Sequence, residues 1–157
     1  MFRRVLIANR GEIALRILRS LRTMGIEVVV IHGKEDRLSL PVRLADEAVY
    51  IPRSDPLASY LDIEAIVEAA KEVGADAVHP GYGFLAENPI FAERLEEEGI
   101  TFIGPSADVL RLLGDKIAAR DAMVKSGIPV AMGSDGPISD PEEAAIQAAE
   151  IGYPVII

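Results

Sequence analysis

The feature that most constrains this chain is an alternation. Short apolar runs are each followed by a segment whose apolar residues recur at helical spacing, and no hairpin turn separates them. Arg4-Val-Leu-Ile-Ala8 leads through Asn9-Arg10-Gly11 into Ile13, Leu15, Ile17, Leu18, Leu21 and Met24, and the pattern stops at Gly25. This reads as strand, tight turn and helix. Ile26–Ile31 follows as a second strand whose largely β-branched run predicts burial on both faces, as in a parallel sheet. Glu47–Ile51, Asp76–His79 and Thr101–Ile103 give three more strands. A helix opening at Leu61 carries Ile63, Ile66, Val67, Ala70 and Val73 and stops at Gly74, where a helix commonly terminates, and another runs from about Pro89 to Glu98. Gly33–Ala45 is a polar loop with room for a short helix, and Pro52–Tyr60 is a second loop. Strands interleaved with helices predict an α/β fold with a parallel sheet covered by helices.

The pattern changes after Gly104-Pro105-Ser106. Helical stretches are expected at Ala107–Leu113 and Asp115–Ser126, with Gly114 between them, and then a turn-rich Gly133–Pro137. Asp140-Pro141-Glu142-Glu143 starts one more helix, with a capping Asp, Pro at the first helical position and acids that complement the dipole. Pro154–Ile157 reads as a strand in which the chain ends. A domain boundary is expected near residues 104–114. A chain of 157 residues has room for one complete domain, or for one domain and a piece of another.

Composition narrows the function classes. No apolar run approaches the roughly 20 residues of a membrane helix. Val5–Ala8 is strand-sized and followed by Asn9, Arg10 and Glu12, unlike a secretory leader. The absence of cysteine removes disulfides and thiolate zinc sites and fits a reducing cytosol, so a cytoplasmic location is the expectation. A formal net charge of −9 argues against a nucleic-acid binder. Arg3, Arg4, Arg10, Arg16, Arg19 and Arg22 nevertheless crowd the amino terminus. The last three lie where the helix dipole favours cations, and they form either a solvated face or a partner surface.

Ligands of open parallel sheets sit beyond the carboxyl ends of the strands. Asn9-Arg10-Gly11-Glu12 leads into a helix N-terminus that can receive an anion, or is a plain turn in which Glu12 answers the dipole. It lacks G-x-G-x-x-G, which leaves a nicotinamide-dependent dehydrogenase poorly supported. In His79-Pro80-Gly81-Tyr82-Gly83 the glycines let backbone approach a ligand and Tyr82 offers an aromatic face, or Tyr82 covers the core. His32 and His79 are solitary at strand ends and receive no catalytic role. Lys116 stands at a helix start, which repels it, so either a ligand phosphate compensates or the lysine is solvated.

Taken together, six ordered blocks resemble a known family. Ile7-Ala-Asn-Arg-Gly-Glu-Ile-Ala-Leu-Arg-Ile17, Arg43-Leu-Ala-Asp-Glu-Ala48, His79-Pro-Gly-Tyr-Gly-Phe-Leu85 with Glu87-Asn88, Phe102-Ile-Gly-Pro105, Gly114-Asp-Lys116 and Gly133-Ser-Asp-Gly-Pro137 are similar to the amino-terminal part of biotin carboxylase, over essentially the whole chain. Around His32–Asp36 and at Ala131-Met132 the chain departs from the usual family pattern. The resemblance implies a Rossmann-like pre-ATP-grasp domain over residues 1–114, followed by the truncated beginning of an ATP-grasp domain over 115–157. It implies a ligase that activates bicarbonate with ATP and carboxylates N1 of biotin on a carrier protein, with Mg2+ or Mn2+ in the full-length enzyme.

By the same resemblance Lys116 contacts ATP. Tyr82 and Gly83 border the biotin and bicarbonate site, and Arg16 and Arg19 belong to a homodimer interface. The implied partners are the rest of the biotin carboxylase, a biotin carboxyl carrier protein or domain and a carboxyltransferase, with no nucleic acid and no membrane. A second ATP lysine, a glycine-rich lid and the metal-binding glutamates are expected after Ile157, so residues 1–157 alone are expected to be inactive and to hold no tightly bound cofactor. The alternatives are a non-catalytic assembly module showing Arg16 and Arg19 to a second subunit, and another ATP-grasp enzyme such as a carbamoyl-phosphate synthetase or a purine-pathway ligase, which would not be expected to share the His79–Leu85 block.

Overall fold

A computed structural model describes residues 1–55, 57–134, 136 and 138–156. Among the described residues five strands form one sheet: β1 (Arg4–Ile7), β2 (Glu27–His32), β3 (Glu47–Tyr50), β4 (Ala77–His79) and β5 (Thr101–Phe102). All are parallel, in the order β3-β2-β1-β4-β5. The helices between them are α1 (Gly11–Thr23), the short α2 (Leu40–Leu44), α3 (Ile63–Glu72) and α4 (Pro89–Glu97). The strand and helix alternation read from the sequence is thus realised as a parallel α/β sheet.

Successive side chains of a strand point to opposite faces, and here they build two cores. Leu6, Ala8, Val29, Ile31 and Val78 pack with Ile66, Val67 and Ala70 of α3 and Phe91 and Leu95 of α4. Val5, Ile7, Val28, Val30 and Ala77 pack with Ala14, Ile17, Leu18 and Leu21 of α1. Both faces of β1 and β2 are therefore covered, which is why Val5–Ile7 and Val28–Ile31 are continuously apolar instead of alternating. Each fully buried Val, Leu or Ile contributes about 1.5–3 kcal/mol relative to an exposed one.

Local signals set the helix ends. Asp62 caps α3 by accepting from the Ala65 amide, and Asn88 caps α4 by accepting from Ile90 and Phe91. Gly25, Gly74 and Gly99 follow α1, α3 and α4 with φ of 71°, 64° and 71°, a backbone that side-chain-bearing residues avoid. Pro52–Tyr60, expected as a loop, carries a 3-10 turn at Ala58–Tyr60 whose Tyr60 is fully buried.

The chain divides into two compact units, Met1–Arg111 and Leu112–Ile157. In the first, Ala107 and Leu110 at the start of α5 (Ala107–Gly114) pack with Ala92 and Phe102. The second contains α6 (Lys116–Lys125), which buries none of its residues, and α7 (Pro141–Ile151), capped by Asp140 accepting from the Glu143 amide. Arg120 donates to the carbonyls of Ala131, Gly133 and Ser134, each at 3.4 Å. Asp135 and Pro137 of the turn-rich block lie outside the described residues.

The strand expected at Pro154–Ile157 does not form over Pro154–Ile156, and Ile157 lies outside the described residues. A strand needs a neighbour to accept and donate its ladder hydrogen bonds, and among the described residues the second unit has no other strand. Ile156 is fully exposed accordingly.

Candidate functional site

The strand order reverses between β1 and β4: the chain proceeds from β1 to β2 and β3 on one side and resumes at β4 on the other. In open parallel sheets the crevice at the carboxyl ends of two such strands is the general place for a ligand. Two segments meet there. Asn9-Arg10-Gly11-Glu12 leaves β1 for α1, and His79–Phe84 leaves β4. The strands are in register up to this point, with Ile7 opposite His79 and the Ala8 amide donating to the His79 carbonyl at 3.0 Å.

Asn9 joins the two segments. It is 2% exposed. Its Nδ2 donates to the carbonyls of Pro80 at 2.6 Å and Tyr82 at 2.8 Å, and its Oδ1 accepts from the Arg10 amide at 2.8 Å. The loop comes this close because Gly81 has φ of 68° and no side chain; a Cβ there would stand 2.7 Å from Asn9 Nδ2. Gly83 and Phe84 also have positive φ, 67° and 43°, so the backbone turns sharply on both sides of Tyr82.

Tyr82 does not cover the core. It is 60% exposed, and its hydroxyl donates to Glu12 Oε1 in the first turn of α1. That bond holds the phenol above its ordinary pKa. Glu12 thus answers the α1 dipole and orients Tyr82 at once. A recess of about 380 Å³ lies between the two segments, lined by Arg10, Gly11, Glu12, Tyr82 and Gly83 among others.

Arg10, which lines the recess, also belongs to a polar cluster with Asp36 of the loop after β2 and Tyr60 of the 3-10 turn after β3. Arg10 Nε and Nη2 donate to Asp36 Oδ2 and Oδ1, both at 2.7 Å, and the Tyr60 hydroxyl donates to Asp36 Oδ2 at 2.7 Å. The Arg10 guanidinium also lies 5.7 Å from the Tyr60 ring centroid. The Arg10 bonds hold the Asp36 carboxyl below its usual range, while burial and then the Asp36 bond push Tyr60 up to about 12. Burial lowers the pKa of His79, whose Nδ1 accepts from the Gly81 amide at 3.0 Å and is therefore unprotonated there.

Arg16 and Arg19 sit on α1, three residues apart and exposed. Arg16 lines an apolar groove of about 740 Å³ together with Phe2, Ile13, Met24, His79 and Tyr82; Arg19 is not among its lining residues. Lys116 belongs to the second unit, exposed in the first turn of α6. Asp115 caps that turn by accepting from the Ile117 and Ala118 amides, which offsets the unfavourable placement of a lysine there. Among the described residues no group of three or more His, Asp or Glu side chains could hold a metal ion. Among the described residues no helix is long and apolar enough to cross a membrane.

Sequence reasoning singled out Tyr82 and Gly83; it did not foresee that Asn9 holds the loop around them or that Asp36 and Tyr60 hold Arg10. The available signal was a single polar residue, Asn9, directly after the apolar run Val5–Ala8, but its acceptors lie more than 70 residues away.

Comparison with known proteins follows the same division of the chain. Residues 1–110 match the family model "Biotin carboxylase, N-terminal domain". The chain belongs to the biotin carboxylase family. Residues 115–157 match the ATP binding domain of the carbamoyl-phosphate synthase L chain. The chain is 55% identical to the biotin carboxylase of Pseudomonas aeruginosa, over 100% of its own length and 35% of that protein's. It is 50% identical to one of the pyruvate carboxylase subunits of Methanothermobacter thermautotrophicus, over 100% of itself and 32% of that protein. Among solved structures, the biotin carboxylase domain dimer of Hydrogenobacter thermophilus 2-oxoglutarate carboxylase, in complex with MgADP, ADP and bicarbonate, superposes with a TM-score of 0.91 at 51% identity, covering 98% of this chain and 34% of that one. The chain thus spans about a third of the length of the biotin carboxylases it matches.

Proposed function

We propose that this chain is the amino-terminal part of an ATP-dependent biotin carboxylase, in which bicarbonate is activated by ATP and the carboxyl group passes to N1 of biotin on a carrier protein. The observation that carries the proposal is the continuous family match over residues 1–110 on a sheet whose switch point holds the Tyr82–Gly83 segment. The relatives named above include carboxylases with different acceptor substrates, and carboxylation of biotin is the step that this reading gives them in common.

In this reading Tyr82 and Gly83 form one border of the biotin and bicarbonate site. Gly83 has no side chain and open space around its Cα, which leaves its backbone accessible to a flat ligand, and Glu12 holds the Tyr82 hydroxyl. Lys116 contributes its ammonium to ATP phosphates, an attraction that grows as water is excluded. Magnesium or manganese, when bound, would neutralise phosphate charge. Arg16 and Arg19 belong to a homodimer interface, in keeping with the dimer named for the 2-oxoglutarate carboxylase domain.

Phosphoryl transfer depends on a cationic clamp that closes on the transferring group, and Lys116 is one part of such a clamp. Residues 1–157 alone therefore have no bicarbonate-dependent ATPase activity. The test is ADP release by the full-length carboxylase and by the 157-residue chain, each with and without bicarbonate. Bicarbonate-dependent turnover confined to the full-length protein is expected. A sedimentation run separates the second reading, an assembly module, which predicts a stable dimer of the chain without ATP affinity.

A further inference from the structure

Both amide protons and the oxygen of the Asn9 carboxamide are engaged, a pairing of two donors with an acceptor that a carboxamide supplies. Both Nδ2 protons go to carbonyls of the loop after β4, on Pro80 at 2.6 Å and Tyr82 at 2.8 Å. The two acceptors assign the nitrogen, because the oxygen facing two carbonyls would be repelled. The oxygen accepts the Arg10 amide, which closes the turn into α1. One buried side chain therefore fixes the backbone on both sides of Gly81 and ties it to the start of α1. From that same start, Glu12 holds the Tyr82 hydroxyl. The Tyr82 ring is otherwise exposed on a loop of positive-φ residues, so these two attachments set where it points.

We infer that Asn9 is a positioning residue for biotin: it holds the Tyr82–Gly83 backbone at the switch point in the geometry that receives the carboxyl acceptor, without touching ATP. This rests on the function proposed above. Asn9 lies beneath the loop, where the Pro80 and Tyr82 carbonyls meet it, and acts through Tyr82 and Gly83. Lys116, the ATP residue of that reading, belongs to the other compact unit. The energetic effect is local because a hydrogen-bonded buried amide has no alternative partner when its acceptors are fixed.

The experiment is a kinetic comparison in the full-length carboxylase of Asn9→Ala and Asn9→Asp, with free biotin, ATP and bicarbonate varied in turn. Asn9→Ala removes the donors; Asn9→Asp keeps the shape and sets a carboxylate against two carbonyls. Both are expected to lower kcat/KM for biotin ~10- to 100-fold, the scale of a small misplacement at a reacting centre. KM for ATP should stay within about twofold, as for an independent site. A loss shared equally by biotin and ATP, or no loss at all, overturns the inference. If both variants fail to fold, Gly81→Ala, which retains Asn9 but pushes its amide, must reproduce the biotin-selective loss; failure of all three to fold makes Asn9 a core residue only and overturns the inference too. A wild-type enzyme that does not carboxylate biotin would instead remove the functional reading on which this one stands.

Discussion

Arg10 and Asp36 meet side-on, two N–H groups of one guanidinium on the two oxygens of one carboxylate, both at 2.7 Å. The pair ties the turn after β1 to the loop after β2, and Tyr60 closes the cluster through its hydroxyl. Planar bidentate pairs of this kind are among the stronger hydrogen bonds in proteins. Asp36→Asn presents an amide NH2 to one of the two donors, and unfolding in urea at pH 7 should show a loss of about 1–3 kcal/mol. The carboxyl is held below its usual range chiefly by Arg10. Its contribution is therefore fully present above the unfolded value of about 4 and is lost as pH falls through the lower folded value. The variant should accordingly lose less stability than the wild type between pH 5 and pH 3, both pH values being approximate bounds on that window.

His79 gives a second pH effect at a different place. Burial depresses its pKa, so between the lowered folded value and about 6.5 the unfolded chain binds more protons than the folded one. Stability is highest above about pH 6.5 and falls on acidification through that window. Protonation also removes the acceptor of the Gly81 amide. The protection of the Gly81 amide, its exchange rate measured against the intrinsic rate at each pH, should fall as His79 protonates; a Gly81 amide whose protection does not change with pH would contradict this.

Gly81 and Gly83 separate conformational strain from collision. Both have positive φ, 68° and 67°, but a Cβ at Gly83 meets nothing within 4 Å whereas one at Gly81 comes to 2.7 Å from Asn9 Nδ2. Gly83→Ala should cost about 1 kcal/mol, the left-handed penalty alone. Gly81→Ala should cost about 1–3 kcal/mol more, because the buried amide has to shift. Equal thermal stabilities of the two variants would contradict the close approach.

Lys116→Gln in the full-length protein should weaken ATP binding ~10-fold or more while leaving the melting temperature nearly unchanged, since the side chain is exposed and buries no apolar surface. Isothermal titration with ATP reads the first quantity and thermal unfolding the second. Unchanged ATP affinity would remove Lys116 from the proposed site.

What the sequence discloses here is what depends on neighbours in the chain. The two-faced burial of β1 and β2 is legible because a parallel strand must be apolar throughout, and Gly25, Gly74 and Gly99 mark helix ends because only their backbone turns that way. The cap at Asp140 is legible for the same local reason. The Asn9 and Asp36 contacts are not, because their partners are brought together by sheet order, which no local pattern encodes. Tyr60 sits in a stretch that reads as a loop, and only the fold buries it. Pro154–Ile156 shows the opposite failure: its composition fits a strand, but a strand also requires a partner.

Biotin carboxylation is tested most directly by transfer of labelled carbon from bicarbonate to free biotin by the full-length protein in the presence of ATP and magnesium, measured beside the 157-residue chain. Acid-labile labelled carboxybiotin is expected from the full-length protein, dependent on ATP, and none from the chain alone. ATP turnover by the full-length protein with no label reaching biotin would contradict the proposed function.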